Sequence, residues 1–521
     1  MHPYPVKDDP ERAGLVGSVA GLSTIRAVPG ASCGKTRRFE ALARVLQISA
    51  RANSRNARPI PKGAPGGALI AMLSMTMLLG LGGCVLAPVG TLEEETKLNS
   101  AAPAFEPPFE SRQLPTVPTP AGWRDVLRRA FFANGELESA YFEWKAAFAR
   151  IDQAATWPNS NVAVNFSYMF SPEKLKAWDR TTIGVGFDPS MNLSLPIKVQ
   201  TAGEVALESA RQAGEKLRAV KFDLQRRVIS TYLDLALTEE KIRIERYNLT
   251  LLKLVTDSAA SRAQSGGALQ DLLKVQIESQ MAENELANLQ AEAKSIRGTL
   301  NGMLARDANA PVRLPPSLPA PRRVKADDAQ LIAVAVEQNP ELAGLARQVA
   351  GRKNALELAR LAYLPDFIPS GSVTGNISQV ISTMVMLPTK LPAIRGAIRE
   401  ADAMTRSSEA VLRQTTQDRA ASFVANLYIM RNAERQTAFY RERVQPAAEQ
   451  LVNSSRSEYA AGTVAFADLI DSQRILITVR RAVAQTWIER EKRLAEIEAL
   501  AGVDIETLGH TVTQTSSPPL Q

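Results

Sequence analysis

Three hydrophobic rhythms run along the chain. From Ile197 to Ala310, and again from Ala447 to Ser517, no proline interrupts a composition rich in Ala, Leu, Glu, Gln, Lys and Arg, which predicts long helices. Val228, Tyr232, Leu235, Ile242, Leu249 and Leu252 are spaced by four, three, seven, seven and three, and Phe423, Leu427, Met430, Thr437, Val444 and Leu451 keep a similar step. A seven-residue step predicts coiled-coil packing. At about 1.5 Å per residue, a helix of roughly 65 residues is about 100 Å long, far more than a compact domain needs. The second rhythm has period two. Val162, Val164, Phe166, Tyr168 and Phe170 alternate with Asn161, Ala163, Asn165, Ser167 and Met169; Ile183, Val185, Phe187, Met191, Leu193 and Leu195 then alternate with Gly184, Gly186, Asn192 and Ser194. Such runs predict strands, apolar on one face and small or polar on the other, a pattern that suits an outer-membrane barrel. A hairpin on a soluble core would alternate in the same way. The third rhythm is the almost unbroken run of small and apolar residues from Ala68 to Gly83, which is short for a membrane span and right for the core of a signal peptide.

The second half of the chain repeats the first. Asn134-Gly-Glu-Leu137 recurs as Asn339-Pro-Glu-Leu342, and Ala155-Thr-Trp-Pro158 as Ala362-Tyr-Leu-Pro365. Tyr232 is matched to Tyr428, Asp271-Leu272 to Asp468-Leu469, and Gln276 to Gln473. Proline clusters from Pro103 to Pro120 and from Pro311 to Pro321 punctuate the copies, the first reading as an extended, poorly helical lead-in. The organisation expected is an N-terminal extension with signal (1–83), a proline-rich lead-in (84–121), a first repeat (122–310), a linker (311–324), a second repeat (325–503) and a polar tail (504–521). Strands are expected over about 161–195 and, with weaker alternation, about 367–387.

Charge and composition narrow the function. The 521 residues carry a net charge of +8, but residues 1–83 hold 11 Lys/Arg against 4 Asp/Glu, so the remainder is nearly neutral and a phosphate-binding groove is not expected. With two His and two Cys, the chain has little material for a metal centre, and no cofactor is expected. Gly30-Ala-Ser-Cys-Gly34-Lys35-Thr36 approaches a phosphate-binding loop but has Pro29 where the first Gly belongs. No nucleophile elbow or His partner marks an enzyme, since His510 lies in the polar tail. Leu81-Gly-Gly-Cys84 at the end of the apolar run resembles a lipobox, which implies a lipidated Cys84; Val85 in place of Asp resembles an outer-membrane address.

The order helix, strand hairpin, very long helix, helical return, proline linker, then the same again, resembles the TolC family of outer-membrane efflux channels over about residues 120 to 503. The local match is Tyr459-Ala-Ala-Gly462-Thr-Val-Ala-Phe-Ala-Asp468-Leu469-Ile470-Asp471-Ser-Gln473, similar to the helical hairpin at that family's periplasmic tip. Gly266 and Gly267 mark a blurred copy before Asp271; Gly at these turns permits a tight reversal. Pro158-Asn159 and Leu195-Pro196 resemble the CzcC-type channels of heavy-metal exporters.

The resemblance implies a mostly α fold with a small transmembrane β part. Long coiled-coil helices would form a periplasmic α-barrel, and each chain would give four strands to a β-barrel shared by a homotrimer. Partners would be a periplasmic adaptor protein, an inner-membrane transporter of the RND type and outer-membrane lipid, with passive conduction gated at the tip. Asp468 and Asp471 match the family's acidic rings, and Tyr459 and Asp271 its gate bonds. The family's gate Arg falls on Val464, which leaves Lys274 as another candidate cation. Asp468 and Asp471 equally suit the start of a helix, where acidic side chains complement the dipole. The competing assignment for the chain is a periplasmic coiled-coil adaptor lipoprotein.

Overall fold

The computed structural model describes residues 85–157, 162–170, 174–187, 194–264, 269–324 and 327–505. Cys84, the apolar run before it, the glycine-rich segment at 30–36, Gly266, Gly267, Pro158, Asn159 and His510 lie outside the described residues.

Ten helices and four strands follow in order among the described residues. The lead-in holds α1 (Thr91–Phe105), and the first repeat holds α2 (Trp123–Ala133), α3 (Gly135–Ala154), β1 (Val162–Tyr168), β2 (Thr181–Phe187), α4 (Pro196–Gln264) and α5 (Leu269–Met303). The second holds α6 (Asp328–Gln338), α7 (Pro340–Leu361), β3 (Asp366–Thr374), β4 (Ser378–Met386), α8 (Leu391–Phe439), α9 (Gln445–Ala461) and α10 (Phe466–Ala501). The repeated Asn-x-Glu-Leu explains the matching α2–α3 and α6–α7 breaks. Asn134 Oδ1 accepts from the Glu136 amide at 2.9 Å and Asn339 Oδ1 from the Leu342 amide at 2.9 Å, so each Asn caps the helix that follows. The lead-in departs from expectation: its first part is the helix α1, whose Leu98 and Phe105 are buried in the main core.

The long helices pack along the heptad seam. Val228, Tyr232, Leu235 and Ile242 of α4 share one apolar cluster with Tyr141 and Trp144 of α3, Leu289 and Leu300 of α5 and Ile488 of α10. Phe423, Leu427 and Met430 of α8 cluster with Leu494 and Ile497 of α10. Tyr232 and Leu427 are both buried, whereas Tyr428, matched to Tyr232 in sequence, is exposed.

The seam also slips below α8. Leu451, expected on it, is 44% exposed, whereas Val452 is 4% exposed. Between α8 and α9 lies a π-helical turn, Tyr440–Val444, in which the Gln445 amide donates to Tyr440 O, five residues back. Pro446 has no N–H to give the carbonyl four residues earlier, and its ring crowds that carbonyl. Widening the turn by one residue relieves the crowding and advances the buried positions to Ala448, Val452, Ser455 and Tyr459.

The four strands form one antiparallel sheet in the order β1-β2-β3-β4, so both repeats contribute a hairpin and the hairpins pair through β2 and β3. In this register Val164, Phe166, Ile183, Val185, Val373 and Ile381 share one face. Asn165, Gly184, Gly186, Ser370, Ser372 and Ser382 share the other. Thr182 pairs with Thr374 at 2.9 Å and Ser370 with Ser382 at 2.8 Å on that small-residue face. A Cβ on Gly186 would lie 2.8 Å from the Ser370 Cβ, so only glycine fits there.

The linker between the repeats is held by charge. Arg322 donates through Nε to Glu491 at 3.0 Å, through Nη1 to Glu498 at 2.6 Å and through Nη2 to the Glu491 carbonyl at 3.2 Å. All three residues are buried, and the guanidinium also lies 5.4 Å from the centre of the Trp123 ring.

Candidate functional site at the helical tip

The tip is built by two helical hairpins, α4–α5 and α9–α10. α9 ends at Gly462, whose φ of 79° lies in the left-handed region. Thr463 then donates through both its amide and its Oγ1 to the Glu458 carbonyl, each at 3.0 Å, satisfying an acceptor that the helix end leaves open. The reversal is tight because glycine adopts that φ at no steric cost.

Apolar contacts join the hairpins. Leu252, Val255 and Ala259 of α4, Val275 and Ala282 of α5, Tyr459 of α9, and Phe466, Leu469 and Ile470 of α10 form one buried cluster. The Tyr459 ring meets Phe466 edge-on, with centres 5.8 Å apart. Tyr459 is thus a core residue of the tip.

The acidic residues are placed differently. Asp271 and Asp468 both sit in the first turn of their helices, half-buried and exposed respectively. Asp471 is exposed and lies 3.5 Å from Nη1 of Arg474. The same Arg474 reaches across to Glu278 of α5, forming an ion pair between the two hairpins.

Farther from the tip, Arg481 pairs with buried Glu245 of α4 and lies 3.6 Å from Glu285 of α5. Arg480 covers the Tyr247 ring at 4.4 Å and donates to Glu449 at 3.0 Å. Hydrogen bonds from Arg480 and then Gln445 hold the Glu449 carboxyl below its ordinary range. The sequence carried a signal for this ladder: Arg474 and Arg481 are seven apart in α10, as are Glu278 and Glu285 in α5, the spacing by which coiled-coil flanks pair.

Among the described residues no group of three or more His, Cys, Asp or Glu could hold a metal ion. Also among them, no helix is long and apolar enough to cross a membrane.

The chain is similar to solved structures that share this arrangement. Against the outer-membrane channel OprN the TM-score is 0.63 at 17% identity, covering 77% of this chain and 92% of that one. Against the open state of the MtrE outer-membrane channel of Neisseria gonorrhoeae it is 0.61 at 16% identity, covering 74% and 89%. The fold is that of the outer-membrane channels. In sequence, the chain is 22% identical over 428 residues to the cobalt-zinc-cadmium resistance protein CzcC of Cupriavidus metallidurans, covering 78% of this chain and 94% of that protein. No family model matches the chain. Within the channel fold, α4–α5 and α9–α10 are the long helical hairpins, and the strand pairs β1–β2 and β3–β4, which precede α4 and α8 respectively along the chain, form the sheet.

Proposed function

We propose that the chain is the outer-membrane channel subunit of a tripartite efflux system, passing substrates passively from an inner-membrane pump of the RND type, through a periplasmic adaptor, to the exterior. The observation that carries this is the sheet. Its apolar face is bare, with Phe166 at 70% and Ile381 at 91% exposure, and strands β1 and β4 have no outer pairing partner among the described residues. Unpaired edges and a bare apolar face are untenable in lipid unless further strands close a barrel. A homotrimer supplies them, with four strands from each chain.

Strand length supports the same reading. At about 3.3 Å per residue the nine residues of β3 and of β4 extend about 30 Å, which after a tilt of about 40° spans the roughly 25 Å apolar band of such barrels. Exposed Tyr168, Phe170 and Trp178 lie at one end of the strands, and exposed Tyr363 with half-buried Trp157 lies at the other. Aromatic girdles at both interfaces mark a membrane-spanning band.

A lipid on Cys84 fits this placement. Two residues on, the Leu86 amide donates to the Ala155 carbonyl at 2.9 Å, at the junction between α3 and the sheet. An acyl chain on Cys84 would therefore enter the membrane where the barrel does.

The exposed acidic residues Asp468 and Asp471 line the closing end of the pore in this reading, and Arg474 with Glu278 ties the hairpins there. Cargo is selected by the pump; the likeness to a cobalt-zinc-cadmium resistance protein makes divalent metals the first cargo to test. In planar lipid bilayers the purified protein should give discrete, cation-preferring conductance steps. Protein that inserts without adding conductance, even with the Arg474→Ala change that loosens the tip, overturns the assignment.

A further inference from the structure

We propose that two faces left open on the chain form a single interface between neighbouring copies, and that this seam is apolar where the corresponding seam inside each chain is ionic. The proposal rests on the ring assembly given above and names the surfaces that close it.

α10 is buried on two faces. One meets its own repeat, where Leu476 and Val479 pack on Ala448 and Val452 of α9, and Leu494 and Ile497 on Phe423 and Leu427 of α8. The other meets the first repeat, where Phe466 and Ile470 join Leu252 and Val275, and Ile488 joins Leu224 and Val228.

α5 is the counterpart of α10 in the first repeat, in the register that sets Asp271 on Asp468. Burial agrees along the whole helix, since Val275 and Ser472, Ala282 and Val479, Leu300 and Ile497, and Asn301 and Glu498 are buried in both copies. The second face differs. Phe466 is 5% exposed and its counterpart Leu269 is 62% exposed. Ile470 and Ile488 are buried, and their counterparts Leu273 and Ala291 are exposed. An apolar face that serves as core in one repeat is bare in the other, a pattern that calls for a partner.

The complementary face is on α8. In the register that sets Val228 on Phe423, buried Leu233 and Ile244 of α4 correspond to Tyr428 and Phe439, both exposed. Within the chain, α10 of the second repeat is received by the first repeat. Repeating that contact once more sets α5 of one copy on α8, α9 and α10 of the next, so each open face covers the other. Head-to-tail contacts of this kind close into rings.

The two seams differ in chemistry. Inside the chain Arg474 pairs with Glu278. At the corresponding positions of the seam between copies stand Ile277, for Arg474, and Ile475, for Glu278, both exposed in the single chain. Salt should therefore weaken the seam within each chain and spare the seam between copies.

Cysteine pairs test this in the full-length, detergent-extracted protein, with the unsubstituted chain controlling for Cys33 and Cys84. Treated with a short bifunctional thiol reagent, Ile277→Cys with Ile475→Cys should run as dimer and trimer on denaturing gels. Glu278→Cys with Arg474→Cys should stay at monomer mobility. Leu273→Glu should lose the trimer while keeping its helical circular dichroism, and Leu273→Met should keep the trimer. If the Ile277→Cys, Ile475→Cys pair links only within monomers while the native mass remains trimeric, the interface is wrong and the ring stands. A monomeric mass for the unsubstituted protein removes the ring itself.

Discussion

Replacing Arg322 with Met removes the cation that faces buried Glu498, while buried Glu491 keeps its pair with Arg490, and preserves most of the side chain's length. Its side chain is 6% exposed, and those of Glu491 and Glu498 are 4% and 2%. Breaking a buried pair from one side costs about 3–5 kcal/mol, because the remaining charge is left without a partner. The folded-to-unfolded ratio should thus fall by roughly two to three and a half orders of magnitude. The loss should also depend on pH. Burial, opposed by Arg322, already holds the Glu498 carboxyl above its ordinary range. A carboxyl raised by folding contributes stability that is complete below its unfolded pKa and is lost as pH rises through its folded pKa. Without Arg322 that folded value climbs further, so the deficit of Arg322→Met should be largest at high pH and shrink toward about pH 5. Trp123, beneath the guanidinium, and Trp487, whose Nε1 donates to the Pro319 carbonyl at 3.0 Å, report on the same linker. Urea unfolding of the detergent-extracted protein, followed by tryptophan fluorescence across pH, reads the effect. Changing Arg322→Met together with Glu491→Gln and Glu498→Gln should recover most of the loss. A single variant with the wild-type midpoint at every pH would refute the reasoning.

Three other outcomes are expected. Phe466→Ala, which empties the apolar joint between the two tip hairpins, should cost about 3–5 kcal/mol in the same unfolding assay, and a cost near zero would detach Phe466 from the core. Cys84→Ser should abolish incorporation of labelled palmitate, and label persisting on the variant would rule out Cys84 as the lipid site. Asp468→Ala with Asp471→Ala should lower cation preference in single-channel recordings, whereas unchanged selectivity would leave both as helix-start residues.

How far the sequence carried depends on how local each determinant is. The coiled-coil seam from Val228 to Ile242, the period-two strands and the repeated Asn caps are set by neighbours in sequence, and all were legible. The seam failed at Leu451 because the π-helical turn ahead of Pro446 adds a residue that no heptad count contains. Helix α1 was obscured by the prolines that follow its first turns; its buried Leu98 and Phe105 depend on contacts with distant helices. At the tip, Gly462 was readable because a left-handed helix end favours glycine. The heptad spacing of Arg474 with Arg481 and of Glu278 with Glu285 already marked the ion pairs between the hairpins. Arg322 gave no local sign, since its partners lie more than 160 residues away in α10.

The claim on which everything else depends is that four strands per chain close a barrel only when copies assemble. The native mass of the protein, extracted by detergent from an outer-membrane fraction and measured by light scattering with the detergent subtracted, tests it most directly. A mass of three chains is the result this account predicts. A monomer, or recovery from the inner-membrane or soluble fraction, would contradict it and leave the bare face of Phe166 and Ile381 without a role in a barrel.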